Sequence, residues 1–195
     1  MSNGPDPDTR LMFEVRAGDR EALARLFERN HGRVHALCAR LTSWADAEDL
    51  VQETFLRVQR HAGTFHGKAG FTPWLFRIAR NVCNDRGRRI RQTSALEAQW
   101  ARDQATMRAA GDPESRIDRR SLIEDALAAL SPEDREVVVL SRMHDLRYAD
   151  IAAVLGCSVG AARVRLHRAI GRLREICSDL EGSPDELRNR TRNNR

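Results

Sequence analysis

Arg77, Arg80, Asn84, Arg88 and Arg91 recur at spacings of 3, 4, 4 and 3 residues. On a helix they would share one face as a cationic stripe about four turns long, which repels itself until a polyanion lies beside it. Just ahead of the stripe, Phe65, His66, Lys68, Phe71 and Trp74 flank a segment holding Gly67 and Gly70. Cations beside flat rings on a loop suit single-stranded nucleic acid, because phosphates need positive charge and unstacked bases need planar partners. Phe71 and Trp74 sit at helical spacing, so a place in the core is the competing role for both rings.

A second constellation has the opposite sign. Asp46, Glu48, Asp49 and Glu53 form an acidic patch, and Asp46 is placed to cap a helix over residues 47–62. At about 100° per residue, Ala47, Val51, Phe55, Val58 and Ala62 fall on one side. Asp49, Gln52, Glu53, Leu56 and Arg60 fall on the other. A leucine among carboxylates fits a protein partner with a basic and apolar groove, or else an ordinary solvated face with one stray leucine.

A third constellation is a helix-turn-helix. Ile151, Ala152 and Leu155 would face inward from its first helix, Gly156 stands where the short turn needs a left-handed residue, and Ser158 can cap the second helix. Val159, Ala162, Leu166, Ile170, Leu173 and Cys177 make the second helix's buried side. Gly160, Ala161, Val164, Arg165, Arg168 and Arg172 point outward, with Arg163 and His167 on a flank. Small residues at the start of that helix permit close approach to base edges, and the arginines can take guanine edges or phosphates. A helical hairpin without a DNA role is the plainer reading, but residues 151–174 hold five arginines and no acid.

Other chemistries fit less well. His31, His35 and Cys38 lie at i, i+4 and i+7 and could ligate zinc, but no fourth ligand is evident, so neither metal nor cofactor is expected. A recombinase needs an activated nucleophile, and Ser43 has Trp44 and Asp46 nearby but no base. An operator-binding regulator is the remaining rival; it would bind duplex DNA alone. Cys38, Cys83, Cys157 and Cys177 form no C-x-x-C pair and are expected as free thiols within helices.

The elements that must position these groups are helical. In 195 residues with 5% aromatics there are no alternating β-branched runs, so an all-α fold of two small domains is expected. Residues 1–18 form an extension with a short helix over 11–17, and residues 19–92 a first domain whose opening helix, capped by Asp19, buries Leu23, Leu26, Phe27, Val34, Leu37 and Leu41. Thr72 and Pro73 start the helix of the cationic stripe, with Trp74, Ile78, Val82 and Asp85 inside. Residues 93–118 read as a flexible linker, in which Leu96, Trp100 and Met107 could dock. Residues 119–177 form the second domain, with an amphipathic run over 122–130 and a helix started by Ser131 and Pro132. Residues 178–195 are expected to be disordered. Net charge follows this division: +5 over residues 1–92, −2 over 93–118 and +2 over 119–195, with Lys68 the only lysine. No apolar run could span a membrane and no signal peptide opens the chain, so a cytoplasmic protein is expected.

Taken in order, the acidic helix over residues 47–55, the run 74–81 followed by Asp85, Arg88 and Arg89, Leu130-Ser131-Pro132, and the helix-turn-helix ending Arg165-Leu166-His167-Arg168-Ala169 resemble bacterial sigma factors of the extracytoplasmic function group. The likeness spans roughly residues 19–174. It implies a promoter-recognition subunit of RNA polymerase that is not an enzyme, with a region 2-like and a region 4-like domain. Asp49, Gln52, Glu53 and Leu56 would dock on the β′ clamp of core polymerase. Phe65, His66, Lys68, Phe71, Trp74, Arg77, Arg80, Asn81, Asn84 and Arg88 would open and read the minus-ten element, trapping a flipped base. Ser158, Gly160, Ala161, Arg163, Val164, Arg165 and Arg168 would read the minus-thirty-five duplex, near the β flap. An anti-sigma factor is the further partner the resemblance implies. Asp150 replaces the glutamate common in the family, and Gly160-Ala161-Ala162 replaces its Gly-Thr-Val, so the relatives' minus-thirty-five sequence is not carried over.

Overall fold

A computed structural model describes residues 6–104, 125–143 and 146–192, with side chains over 6–92, 125–143 and 146–179. Met107 and residues 122–124 lie outside the described residues, as do the side chains of Leu96 and Trp100. The described residues are helical and contain no strand.

α1 (Pro7–Arg16) starts earlier than the expected residue 11. Asp6 caps it, its carboxylate accepting from the N–H groups of Asp8 and Thr9 at 3.0 Å each, and Pro7 fills a first-turn position that needs no donor. α2 (Arg20–Leu41) is capped by Asp19 and runs unbroken through Gly32. Leu26, Val34 and Leu37 are buried, and Leu23, Phe27 and Leu41 pack half-buried against the same core. α1 is pinned to α2 by Asp8, which accepts from Arg29 Nε at 2.5 Å and from buried Asn30 Nδ2 at 3.0 Å.

α3 (Ala47–Arg60) buries Ala47, Val51, Phe55 and Val58, and also Leu50 and Thr54. Asp46 does not cap it. The Asp46 backbone is already helical, and its carboxylate accepts from the Ser43 hydroxyl at 2.7 Å and from Arg86 at 2.6 Å. The Ser43 hydroxyl in turn accepts the Asp46 N–H, so that serine serves the turn rather than any nucleophilic role. A 3₁₀ turn, Ala62–Thr64, leads into the glycine segment and then α4 (Phe71–Gln104). α4 continues through the first part of the expected linker; residues 93–104 hold Ala, Leu, Glu, Gln and Arg without Gly or Pro, a composition that favours propagation.

α5 (Pro132–Ser141), α6 (Tyr148–Leu155) and α7 (Val159–Arg192) follow. The Ser131 hydroxyl accepts from Asp134 N–H at 3.2 Å, and Asp150 reaches back to Arg147 N–H at 2.9 Å to close the start of α6. Gly156 ends α6 at φ +70°, the left-handed turn the helix-turn-helix requires. α7 runs past the expected end at Cys177 to Arg192, through Gly182 and through Pro184, which has no N–H to donate to the preceding turn. Buried Asp134 on α5 pairs with exposed Arg172 on α7, joining these helices at the rim of the core.

Buried residues of both halves form one continuous cluster, from Met12 and Leu26 through Phe76 and Val82 to Val137, Ile151, Val154 and Leu166. α4 packs against α6, and α2 against α5, so the two expected domains meet face to face.

Candidate nucleic-acid interface

The acidic face of α3 is built as its periodicity predicts. Asp49, Gln52 and Leu56 are exposed, Leu56 at 47%, while the opposite side is committed to the core. Glu53 is only half exposed and accepts from Arg57 Nε at 2.8 Å. Arg57 also donates to Asp85 on α4 at 2.8 Å, locking the two helices together. That bond, backed by Arg88, holds the Asp85 carboxyl below its ordinary range, and the hydrogen bonds to Asp85 and Glu53 raise Arg57.

Beside this face runs a ladder of rings that sequence reasoning missed. Phe55, Phe27, His31, His35 and Trp44 follow one another with centroids 4.9, 5.1, 6.0 and 4.8 Å apart. Trp44 is 65% exposed, and His31 Nε2 lies 3.1 Å from the Glu48 carboxylate. Cys38, one turn on from His35, faces the core instead. It meets buried Cys83, whose thiol is pushed well above its usual value by the hydrogen bond to Cys38 and by burial. No group of three His, Cys, Asp or Glu side chains among the described residues is placed to hold a metal ion.

The glycine segment is shaped by α1. Gly67 has φ +70°, and a Cβ there would sit 2.9 Å from the Phe13 ring. Arg16 donates to the Phe65 carbonyl at 3.1 Å, and the Thr9 hydroxyl accepts the Phe71 N–H at 3.0 Å, capping α4 from outside its own sequence neighbourhood. Two of the expected base-stacking rings are spent here. Phe65 and Phe71 are buried and meet Phe13 and Trp74 edge-on or tilted, with centroids 5.2 to 6.2 Å apart. Packing rings on a loop with two glycines is what gives it a fixed shape. His66 and Lys68 are exposed, and Trp74 is half-buried.

The cationic stripe of α4 is divided. Arg77, Asn81 and Arg88 are exposed, Arg88 bonded to Asp85 at 2.5 Å. Arg80 and Asn84, expected to face outward, turn toward α5. Arg80 Nε donates to Glu136 Oε2 at 2.7 Å and Asn84 Nδ2 to Glu136 Oε1 at 2.6 Å, with the Glu136 side chain 4% exposed. A sequence pattern local to α4 cannot show a carboxylate that arrives from 52 residues away.

In the helix-turn-helix, Ile151, Ala152 and Val154 are buried and Leu155 is half-buried. The Ser158 hydroxyl accepts from Ala161 N–H at 3.1 Å, as its capping position predicts. Gly160, Ala161, Arg163, Val164 and Arg168 are exposed; Arg165 is half-buried. The inner side of α7 differs at its start. Val159, in the first turn, is 39% exposed, and Ala169 is buried with Ala162 and Leu166. The Arg163 guanidinium sits over the Tyr148 ring, 5.1 Å from its centroid, so the first helix of the motif aims an arginine of the second.

Comparisons with known proteins agree with this layout. Residues 26–93 match the model for Sigma-70 region 2, and residues 120–173 the model for Sigma-70, region 4. The chain is 39% identical over 171 residues to the RNA polymerase sigma factor CarQ of Myxococcus xanthus, spanning 87% of this chain and 97% of that one. It is 35% identical to the ECF RNA polymerase sigma factor SigM of Mycobacterium tuberculosis, over 89% of this chain and 86% of the relative. Among solved structures, it resembles CnrH bound to the cytosolic domain of CnrY, with TM-score 0.64 and 29% identity over 89% of this chain and 99% of that one. It also resembles the sigma factor RpoE bound to the anti-sigma factor NepR from Bartonella quintana, with TM-score 0.60 and 26% identity over 78% and 94%. An exposed acidic helix, an arginine-bearing helix behind a shaped glycine loop, and a capped helix-turn-helix occur in this order within the matched regions, and the chain belongs to the sigma-70 family of RNA polymerase sigma factors, in its extracytoplasmic function group.

Proposed function

We propose that this chain directs promoter-specific initiation by binding core RNA polymerase through α3 and promoter DNA through two separate surfaces. One observation carries the reading: Asp49, Gln52 and Leu56 stand exposed on a helix whose other face is fully buried, leaving a charged and apolar surface that the fold itself does not use. Those residues, with Glu53, dock on the β′ clamp. Residues 19–92 form the region 2 domain, residues 119–177 the region 4 domain, and residues 93–118 the connection between them.

Arg77, Asn81, Arg88, His66 and Lys68 supply the exposed part of the minus-ten surface, with Trp74 at its edge. Arg80 and Asn84 join them once freed of Glu136. Opening the duplex needs no covalent chemistry: a base exposed by thermal fraying is held by hydrogen bonds and stacking, and the open strand is stabilised by the cations. Gly160, Ala161, Val164, Arg165 and Arg168 meet the minus-thirty-five major groove, while the N-terminus of α7 at Ser158 and the Arg163 guanidinium engage phosphate. Near the β flap the same domain contacts polymerase. The protein acts in the cytoplasm, and the complex of the similar RpoE with the anti-sigma factor NepR supports an anti-sigma factor as the regulatory partner.

Run-off transcription with purified core polymerase and a promoter library tests this. The expected result is promoter-specific transcript that depends on both proteins. Tight operator binding by the chain alone, without transcript from any core enzyme, would overturn it.

A further inference from the structure

We propose that Glu136 is an internal stand-in for promoter DNA: it latches the C-terminal half onto α4 in the free chain and withholds Arg80 and Asn84 from nucleic acid. The inference rests on the reading of α4 as a minus-ten surface and adds what occupies that surface before DNA arrives. Three observations converge on Glu136.

The first is chemical. Arg80 Nε and Asn84 Nδ2 each meet one carboxylate oxygen of Glu136, at 2.7 and 2.6 Å. A guanidinium N–H and a side-chain amide, one turn apart on a helix, are the donors that phosphate oxygens and base edges attract. A carboxylate offers the same two-acceptor geometry and charge sign, so it satisfies both donors as a nucleotide would.

The second is burial. Glu136 is one of two buried acids of α5, its side chain 4% exposed; the other, Asp134, is received by Arg172 of the same half, and Glu133 lies exposed. Taking a carboxylate out of water is unfavourable unless a cation and further donors receive it. The two receiving groups come from the other half of the chain, so separating the halves exposes Glu136, Arg80 and Asn84 together.

The third is continuity. α4 packs on α6 and α2 on α5, and the buried apolar residues of both halves make one cluster. The carboxylate therefore sits within an extended contact rather than at an isolated surface pair. DNA cannot reach Arg80 or Asn84 until that contact opens. Arg77, Asn81 and Arg88 remain exposed on the same helix and can make the first, weaker encounter.

Glu136→Gln keeps one acceptor oxygen but removes the charge and turns an N–H group on one of the two donors. The test uses the full chain, measuring the radius of gyration by small-angle X-ray scattering and the affinity for short single-stranded DNA of randomised sequence. If the closed form holds about 90–99% of the free chain, unlatching raises DNA affinity about 10- to 100-fold. The expected result is an expanded Glu136→Gln chain that binds the DNA more tightly by that factor. The paired exchange Glu136→Arg with Arg80→Glu should return the compact dimensions, which guards against a variant that expands by misfolding. A Glu136→Gln chain as compact as the wild type overturns the latch, while the separate reading of α4 then stands or falls on whether Arg77→Ala weakens DNA binding. Expansion without any gain in affinity overturns the masking of DNA donors, and Arg77→Ala alone again decides the minus-ten reading.

Discussion

Leu56 is the side chain on which the proposed docking surface of α3 can be told from a merely solvated one. It is 47% exposed between Gln52 and Arg60 on a helix that already buries six residues, so a partner docked on α3 would take it out of water. Leu56→Arg should weaken core polymerase binding about thirtyfold or more, the loss typical of a central apolar anchor, with unchanged helical content by circular dichroism. Equal affinity for core polymerase by surface plasmon resonance would remove Leu56 from the interface. Asp85 gives a pH-dependent counterpart. Its carboxyl is held low first by the hydrogen bond from Arg57, then by Arg88. A carboxyl lowered on folding contributes stability in full above its unfolded value, near pH 4, and loses it as pH falls through the folded value. Asp85→Asn should therefore melt below the wild type at neutral pH, with the gap shrinking on acidification below about pH 4. A constant gap down to the lowest accessible pH would mean that the charge contributes nothing. The exposed residues of α3 were legible in sequence because helical periodicity sorts faces directly. The fate of Glu53 was not, since pairing with Arg57 at i+4 competes with outward display.

At the level of elements, α4 depends on α1 for its start. Thr9 supplies the acceptor for the Phe71 N–H, so the first turn of the helix that bears the arginines is held by a residue 62 positions earlier. Thr9→Val keeps the shape but leaves that N–H buried without its acceptor, and should cost about 1 kcal/mol in urea unfolding. An unchanged midpoint would show that water replaces the hydroxyl at no cost. The position of α1 was readable from Asp6 and Pro7, a cap followed by a first-turn proline. The residues around them are polar, and the apolar signal of the helix begins only at Leu11. Caps at Asp19, Ser131 and Ser158 stood out since each precedes an apolar stripe. Asp46 misled for the opposite reason: it has the right residue type, but Ser43 reached the turn first. Aromatic residues beside glycines signal either a stacking platform or a packed loop; the arrival of Phe13 decides for Phe65, and packing on Phe65 and Trp74 decides for Phe71.

Across the whole molecule, the two halves share a core that composition does not announce. Helix class, element order and the helix-turn-helix follow from patterns within about 20 residues, whereas the meeting of α4 with α6 depends on surfaces far apart in sequence. A continuous apolar cluster couples the halves, so the free chain should unfold in one calorimetric transition with van't Hoff and calorimetric enthalpies in agreement. Two resolved transitions would show that the halves melt independently. The uneven use of basic residues has a practical consequence at this scale. Lys68 is the chain's single lysine, and it stands exposed on the glycine loop beside Gly67, whose backbone is fixed against Phe13. An amine-reactive dye at alkaline pH finds one lysine side chain, the α-amino group being the other amine that it labels. It therefore places a reporter on the loop next to the arginine helix, in the unmodified sequence, while the guanidinium groups stay unlabelled.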